Sequence, residues 1–219
     1  MPLDIITRRT RFFCLLFRLC ASGAYKPQTA LREDRVFDQL KYRLQREVYG
    51  SERPALRRIL EHDSPSHTPF VACICSIGIL CSKADLQNMA ADLPHSRHYS
   101  MKNNDDSSVI AIPTLICDRA KKLALGRPLI LEISDGWYSA WARIDDGLSN
   151  LVLTGKLKSG YKIKCTSAQL TGEAATTPAS PLDYDTDSVT ITFELEFNSV
   201  FPAKWDQKLG FSKVGVSFF

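Results

Sequence analysis

The sequence predicts an α+β chain, with an all-α front half and a back half of antiparallel strands forming a small barrel or sandwich. Three observations carry this. Apolar residues recur every three to four positions through 31–63, which is helical spacing. Beyond residue 127, short alternating segments follow one another with no helical pattern between them, as in an antiparallel sheet. Between the halves, "PHSRHYSMKNNDDSS" (94–108) is polar and holds no aliphatic residue, so it reads as a mobile loop or linker. The expected units are a helical domain over 1–93, a linker or insertion over 94–126 and a β domain over 127–219.

Within the front half, "RRTRFFCLLFRLCASGA" (8–24) has an apolar run of six residues, Phe12 to Phe17, closed by Arg18. That is too short to span a bilayer, and Phe12, Phe13, Leu16, Leu19 and Cys20 recur as on a buried helix. Residues 31–49 form the best-patterned helix, with Val36, Leu40, Leu44 and Val48 four apart and Gly50 as a left-handed stop. Ser51 then caps a helix through Asp63 that tolerates Pro54 in its first turn. Its Leu56, Ile59 and Leu60 face inward and its Arg53, Arg57 and Arg58 outward. "FVACICSIGIL" (70–80) is continuously apolar. It is read as a buried helix, with a buried strand as the alternative, because an unbroken apolar run has no diagnostic period.

In the back half, 129–134 pairs with 137–145 across Asp135-Gly136, a strong short-range hairpin signal. Odd positions of its second strand give Trp137, Ser139, Trp141 and Arg143, while even positions give Tyr138, Ala140, Ala142 and Ile144. One face is therefore small and apolar, and the other carries two indoles and a guanidinium. A strand with a central kink is expected over 161–170. In "SVTITFELEFN" (188–198), Val189, Ile191, Phe193, Leu195 and Phe197 alternate inward against Thr190, Thr192, Glu194 and Glu196. Four strands are counted in all, and no solenoid-length repeat is present.

The formal net charge is +4, and it is uneven: residues 1–62 hold 13 Lys/Arg against 7 Asp/Glu, whereas the remainder hold 15 against 17. A basic front half favours an acidic partner, since long-range attraction speeds encounter. The seven cysteines fall mostly in apolar runs without a CxxC pair, as expected of reduced, core-filling thiols in a cytosolic or nuclear protein. The sequence has no phosphate-cradling Gly-Lys-Ser/Thr loop, no Gly-x-Ser-x-Gly elbow and no supported Cys-His pair, so it reads as a binding protein and not an enzyme. No cofactor is expected. His95 and His98 lack further ligands at metal spacing, and Asp145, Asp146, Asp183, Asp185 and Asp187 are assigned to loop solvation.

"LEISDGWYSAWARID" (131–145), "GKLKSGYKIKCTSAQL" (155–170) and "FPAKWDQKLGF" (201–211), in that order and spacing, closely resemble the first OB domain of the breast cancer type 2 susceptibility protein family. "QLKYRLQREVYGSERPALRRILEHD" (39–63) resembles the helical domain that precedes it there, and "FFCLLFRLC" (12–20) is a weaker echo of an upstream helix. The resemblance covers roughly 31–81 and 127–212. It implies that the β domain is an OB-type barrel. With four strands counted, the fifth, which should lie between the third and fourth, is expected to be missing. It also implies a recombination mediator in the nucleus, acting on single-stranded DNA in double-strand break repair by homologous recombination. A small acidic disordered partner would bind the helical and OB domains, at Arg53, Arg57 and Arg58 here. The alternative is a platform for that partner with little DNA contact. "FRLCASG" (17–23) is similar to the family's recombinase hook, but Ala21 is four residues after Phe17 instead of three, so a strand-exchange recombinase is expected to be reached only indirectly. No membrane partner is expected.

OB folds hold single strands on aromatic platforms within basic grooves. Trp141, Arg143, Lys162 and Lys164 are the DNA-binding candidates on this ground, each weighed against packing or a solvated strand face. Trp137 is assigned to contact between the domains, because two joined domains need apolar surface where they meet. Asp135 is more than a turn residue, and an interdomain ion pair with Arg18 is the first partner to test.

Overall fold

The computed structural model describes residues 33–85, 96–102, 104–112, 118–184 and 188–211. Arg18, the 12–20 segment and His95 lie outside these. The first helix, α1, is Glu33–Leu44, and it widens into a π-helical turn over Gln45–Tyr49. That wider turn rotates the apolar stripe: Leu40 is buried, whereas Val48 and Tyr49 emerge into solvent. Gly50 stops the helix without a left-handed conformation, at φ −93°. Its need for glycine is steric, since a Cβ there would sit 2.8 Å from the Arg46 carbonyl oxygen. Helix α2, Ala55–Leu60, buries Leu56, Ile59 and Leu60 as expected, but its N-cap is Pro54, with no side-chain cap of its own.

The largest departure from expectation is Phe70–Ser82, which is a 13-residue strand, β1, and not a helix. The register against its neighbour shifts between Ile74 and Ser76. Phe70, Ala72 and Ile74 face the main core before this bulge, and Ile77, Ile79 and Cys81 face it afterwards. The inserted residue flips the parity of the strand. Core positions are therefore 70, 72 and 74 and then 77, 79 and 81, an alternation broken once at the bulge.

The supposed linker is also ordered as sheet. Arg97–Met101 forms β2 and Asn104–Ile112 forms β3, and β3 runs antiparallel to β1 from Ile77↔Ile112 to Ser82↔Ser107. A short helix, α3 (Asp118–Ala124), leads to β4 (Leu129–Ser134) and β5 (Ser139–Ile144), followed by α4 (Asp146–Leu153), β6 (Lys162–Cys165) and β7 (Gln169–Leu170). The remaining elements are α5 (Glu173–Thr176), β8 (Ser188–Val189), β9 (Ile191–Leu195), a 3₁₀ turn (Phe197–Ser199), β10 (Val200–Pro202) and β11 (Gly210–Phe211).

These strands make one curled, mixed sheet, correcting the antiparallel expectation. β5 and β9 are parallel, as are β2 and β8. Pairing runs from β1 to β4, β5 and β9, and past the 3₁₀ turn it continues from β10 to β6 and back to β1. The fifth strand is thus present. The additional strand is β1, in the segment expected to be helical, and the last strand lies between the third and fourth as an OB topology requires. Asp145 is structural, not merely solvated: one carboxylate oxygen accepts from Leu148 N at the start of α4 and the other from Phe197 N at 2.8 Å.

Two cores result. The larger fills the inside of the curl and receives α2. The smaller comprises Val109, Ala111, Ile130, Trp141 and Val189, flanked by Tyr99, Met101, Leu80 and Ile191. It lies on the opposite face of β4 and β5 and is roofed by β2, β3 and β8.

Candidate nucleic-acid interface

The 135–138 loop joins the sheet to the helices. Its four linking residues, two more than the expected turn, follow from one carboxylate. Asp135 Oδ1 accepts from Trp137 N at 2.9 Å and Tyr138 N at 3.0 Å, so β5 begins only at Ser139. Gly136 supplies the left-handed φ of 86° that this turn needs. Asp135 Oδ2 accepts from Leu56 N at 2.9 Å and so provides the cap that α2 lacks. Asp135 therefore does bridge helix and sheet, through a backbone N–H of α2.

Two side chains extend the joint. The Trp137 ring lies 6.5 Å from that of Tyr42 on α1. The Tyr138 hydroxyl donates to Glu47, which accepts from Arg57 Nη1 at 2.7 Å, while Arg57 Nε donates to Glu61 at 2.7 Å. Burial works to lower the Arg57 guanidinium, but its bonds to Glu47 and Glu61 outweigh this and raise it above its ordinary value. Arg57, expected on a partner surface, is thus engaged by two carboxylates of its own chain. Arg53 pairs with Asp63 and, at 3.4 Å, with Glu61. Arg58 is exposed and lies 5.2 Å from the centre of the Phe211 ring.

The face expected to stack bases is closed. Trp141 is 7% exposed and meets Tyr99 edge-on at 6.1 Å. A Cβ on Gly78 would fall 3.0 Å from Trp141 Cζ3, so the indole lies across the glycine. The cover is the hairpin of β2 and β3, which lies in the segment expected to be linker. On the same face Glu132 is buried and accepts from Ser76 Oγ at 2.6 Å. Arg143, at the rim, is exposed and pairs with Glu194 at 3.6 Å.

Lys162 is also redirected. It is 7% exposed, and its Nζ donates to the carbonyls of Trp205 at 2.5 Å and Gln207 at 2.8 Å while lying 5.3 Å from the Trp205 ring centre. Burial lowers its pKa. It anchors a strap, 203–211, that crosses from β6 to the helices. Ala203 N donates to the Lys162 carbonyl, Leu209 lies against Gly136, and Phe211 pairs with Phe70. The "FPAKWDQKLGF" motif is therefore largely a fastening. Lys164 remains on the outer side of β6, opposite Phe201. Phe201 and Trp205, which were not singled out from the sequence, are 48% and 56% exposed. Exposed aromatics between lysines were the available signal.

Among the described residues, no group of three or more His, Cys, Asp and Glu could hold a metal ion, and no helix is long and apolar enough to cross a membrane. His98 lies on β2 with its Nε2 3.2 Å from Ser96 Oγ. Cys73, Cys75, Cys81 and Cys165 are buried, and burial pushes the Cys165 thiol up to about 12.

A five-strand curl whose last strand lies parallel to the third and returns along the fourth defines an OB domain, here extended by a covering hairpin and fastened to helices. The family model described as BRCA2, oligonucleotide/oligosaccharide-binding, domain 1 matches residues 54–213. Two relatives from Arabidopsis thaliana, Protein BREAST CANCER SUSCEPTIBILITY 2 homolog A and homolog B, are 33% and 32% identical over 182 residues, which is 83% of this chain. The chain belongs to the BRCA2 family and spans 13% of the length of these relatives.

Proposed function

We propose that the chain is a DNA-repair module that binds single-stranded DNA in the homologous recombination of double-strand breaks, working in the nucleus and without catalysis of its own. The observation that carries this reading is the OB strand ladder over the same residues that match the family's first oligonucleotide/oligosaccharide-binding domain. OB folds bind single strands through aromatic stacking and phosphate contacts. The joint at Asp135 supports treating α2 and the sheet as one body when they meet a ligand.

The alternative, a platform for a small acidic disordered protein, is less well supported at the arginines proposed for it. Arg57 is engaged by Glu47 and Glu61, and Arg53 by Asp63, leaving Arg58 as the more open cation. A salt titration of the 219-residue chain with an unlabelled single strand tests the reading. Three to five phosphate contacts give a slope of log K against log salt of about −2 to −3.5. Absence of binding at low salt, together with capture of an acidic peptide, would transfer the proposal to the platform.

A further inference from the structure

We infer that a single strand runs along β6 and the 203–211 strap, on the side carrying Lys164, Phe201, Lys204 and Trp205, and not over β4 and β5. The inference rests on the DNA-binding reading above and specifies its surface.

The face over β4 and β5 is unavailable in this fold. Its indole, Trp141, is packed beneath Tyr99, and the neighbouring Glu132 would oppose a phosphate backbone. The β6 side has the reverse character. Segments 156–164 and 200–211 together contain six lysines and one acid, Asp206. Lys162 points its ammonium into the strap, and the other five, Lys156, Lys158, Lys164, Lys204 and Lys208, form no salt bridge with a described residue. Cross-strand pairing places Phe201 directly opposite Lys164, within the spacing of side-chain neighbours on one sheet face. Lys162 fixes the turn that presents Trp205 by holding the carbonyls of Trp205 and Gln207. The result is two exposed rings alternating with cations.

That alternation selects the occupant. A purely apolar protein partner would leave the lysines without counter-charge, and an acidic peptide would leave the rings without stacking partners. A single-stranded oligonucleotide satisfies both, since its bases stack on rings and its phosphates meet ammonium groups. Phe201 and Trp205 act as stacking residues, Lys164 and Lys204 as phosphate contacts, and Lys162 as a positioning residue.

The test titrates the full chain with oligo(dT) of about 16 nucleotides, the upper range for one OB fold, while following tryptophan fluorescence. Trp205 is the most exposed of the three indoles, so DNA-dependent quenching should be lost in W205F. Each stacking residue removed, by F201A or W205A, should weaken binding roughly 5- to 150-fold. K164E and K204E should each flatten the salt slope by about 0.7. R143A, on the other rim, should bind as the parent does, and parent-like circular dichroism establishes that each variant is folded. If the parent binds but F201A/W205A binds equally and W205F still quenches, the surface is wrong while the DNA-binding reading stands. If the parent does not bind at low salt, both fall. Dimerisation of the parent that F201A/W205A abolishes, without DNA-dependent quenching, would assign the strap to contact between copies and overturn the inference.

Discussion

Replacing Asp135 by Ala removes an acceptor that serves three backbone donors at 2.9–3.0 Å: Leu56 N, Trp137 N and Tyr138 N. Asp135 is 2% exposed, so water cannot readily substitute for its carboxylate. An orphaned buried donor costs about 1–3 kcal/mol. Leu56 and Tyr138 are buried, and Trp137 is partly open to water, so D135A should lose about 3–6 kcal/mol in total. Domains are typically stable by about 5–15 kcal/mol, so this is a large share. D135N should be milder. Its amide oxygen can still receive both hairpin N–H groups, but its NH₂ then opposes Leu56 N, a loss of about 1.5–3 kcal/mol. Urea unfolding of parent and variants gives the two values from the shift in midpoint at constant slope. Hydrogen exchange at the Leu56 amide should accelerate in both. A D135A loss below about 1 kcal/mol, or a D135N loss equal to it, would refute the joint as described, because an acceptor serving two buried donors and a third that is partly open to water cannot be worth so little.

Three further perturbations separate structural from ligand-binding roles. W141A should destabilise by about 3–5 kcal/mol, as for a truncated core aromatic, and hydrogen exchange should quicken at Tyr99 and Val109. An exposed stacking residue would leave both unchanged. In G78A the new Cβ would meet Ile130 Cγ1 at 2.6 Å, Val109 Cγ1 at 2.9 Å and Trp141 Cζ3 at 3.0 Å. Overpacking of this kind costs about 1–3 kcal/mol, which should lower Tm by about 2–4 °C for each kcal/mol. Burial, aided by the bond to Glu47, raises the Tyr138 hydroxyl above its ordinary value of 10.0. Above that pH the unfolded chain releases its proton first, so this stabilisation is intact below pH about 10 and declines as pH rises. Alkaline melting curves should show a shallower decline for Y138F than for the parent, and equal declines would contradict the buried bond.

The sequence was most informative where one short segment meets one core. The inward face of α2 and the strand residues Phe193 and Leu195 follow from local periodicity, and both are buried. Asp135-Gly136 marked a hairpin because only a few residues accept its backbone. Phe197 was misread by the same periodicity: it falls beyond the end of β9, in a 3₁₀ turn that exposes its ring. The candidate site was less legible for a related reason. Trp141, Lys162 and Lys164 all occupy strands that an OB fold could turn toward DNA, and their side chains meet quite different surroundings.

The amino-acid sequence by itself determined the helical start, the Asp-Gly hairpin, the alternating last strand and the family resemblance, since each resides in residues close along the chain. Tertiary structure alone decided that Phe70–Ser82 is extended, because it is buried along nearly its whole length and an unbroken apolar run has no period that separates strand from helix. It also decided that Trp141 is roofed, Lys162 is spent on a strap and Arg57 is enclosed by acids. Those outcomes depend on which distant segment covers each side chain, and burial by a distant segment leaves no mark on local periodicity.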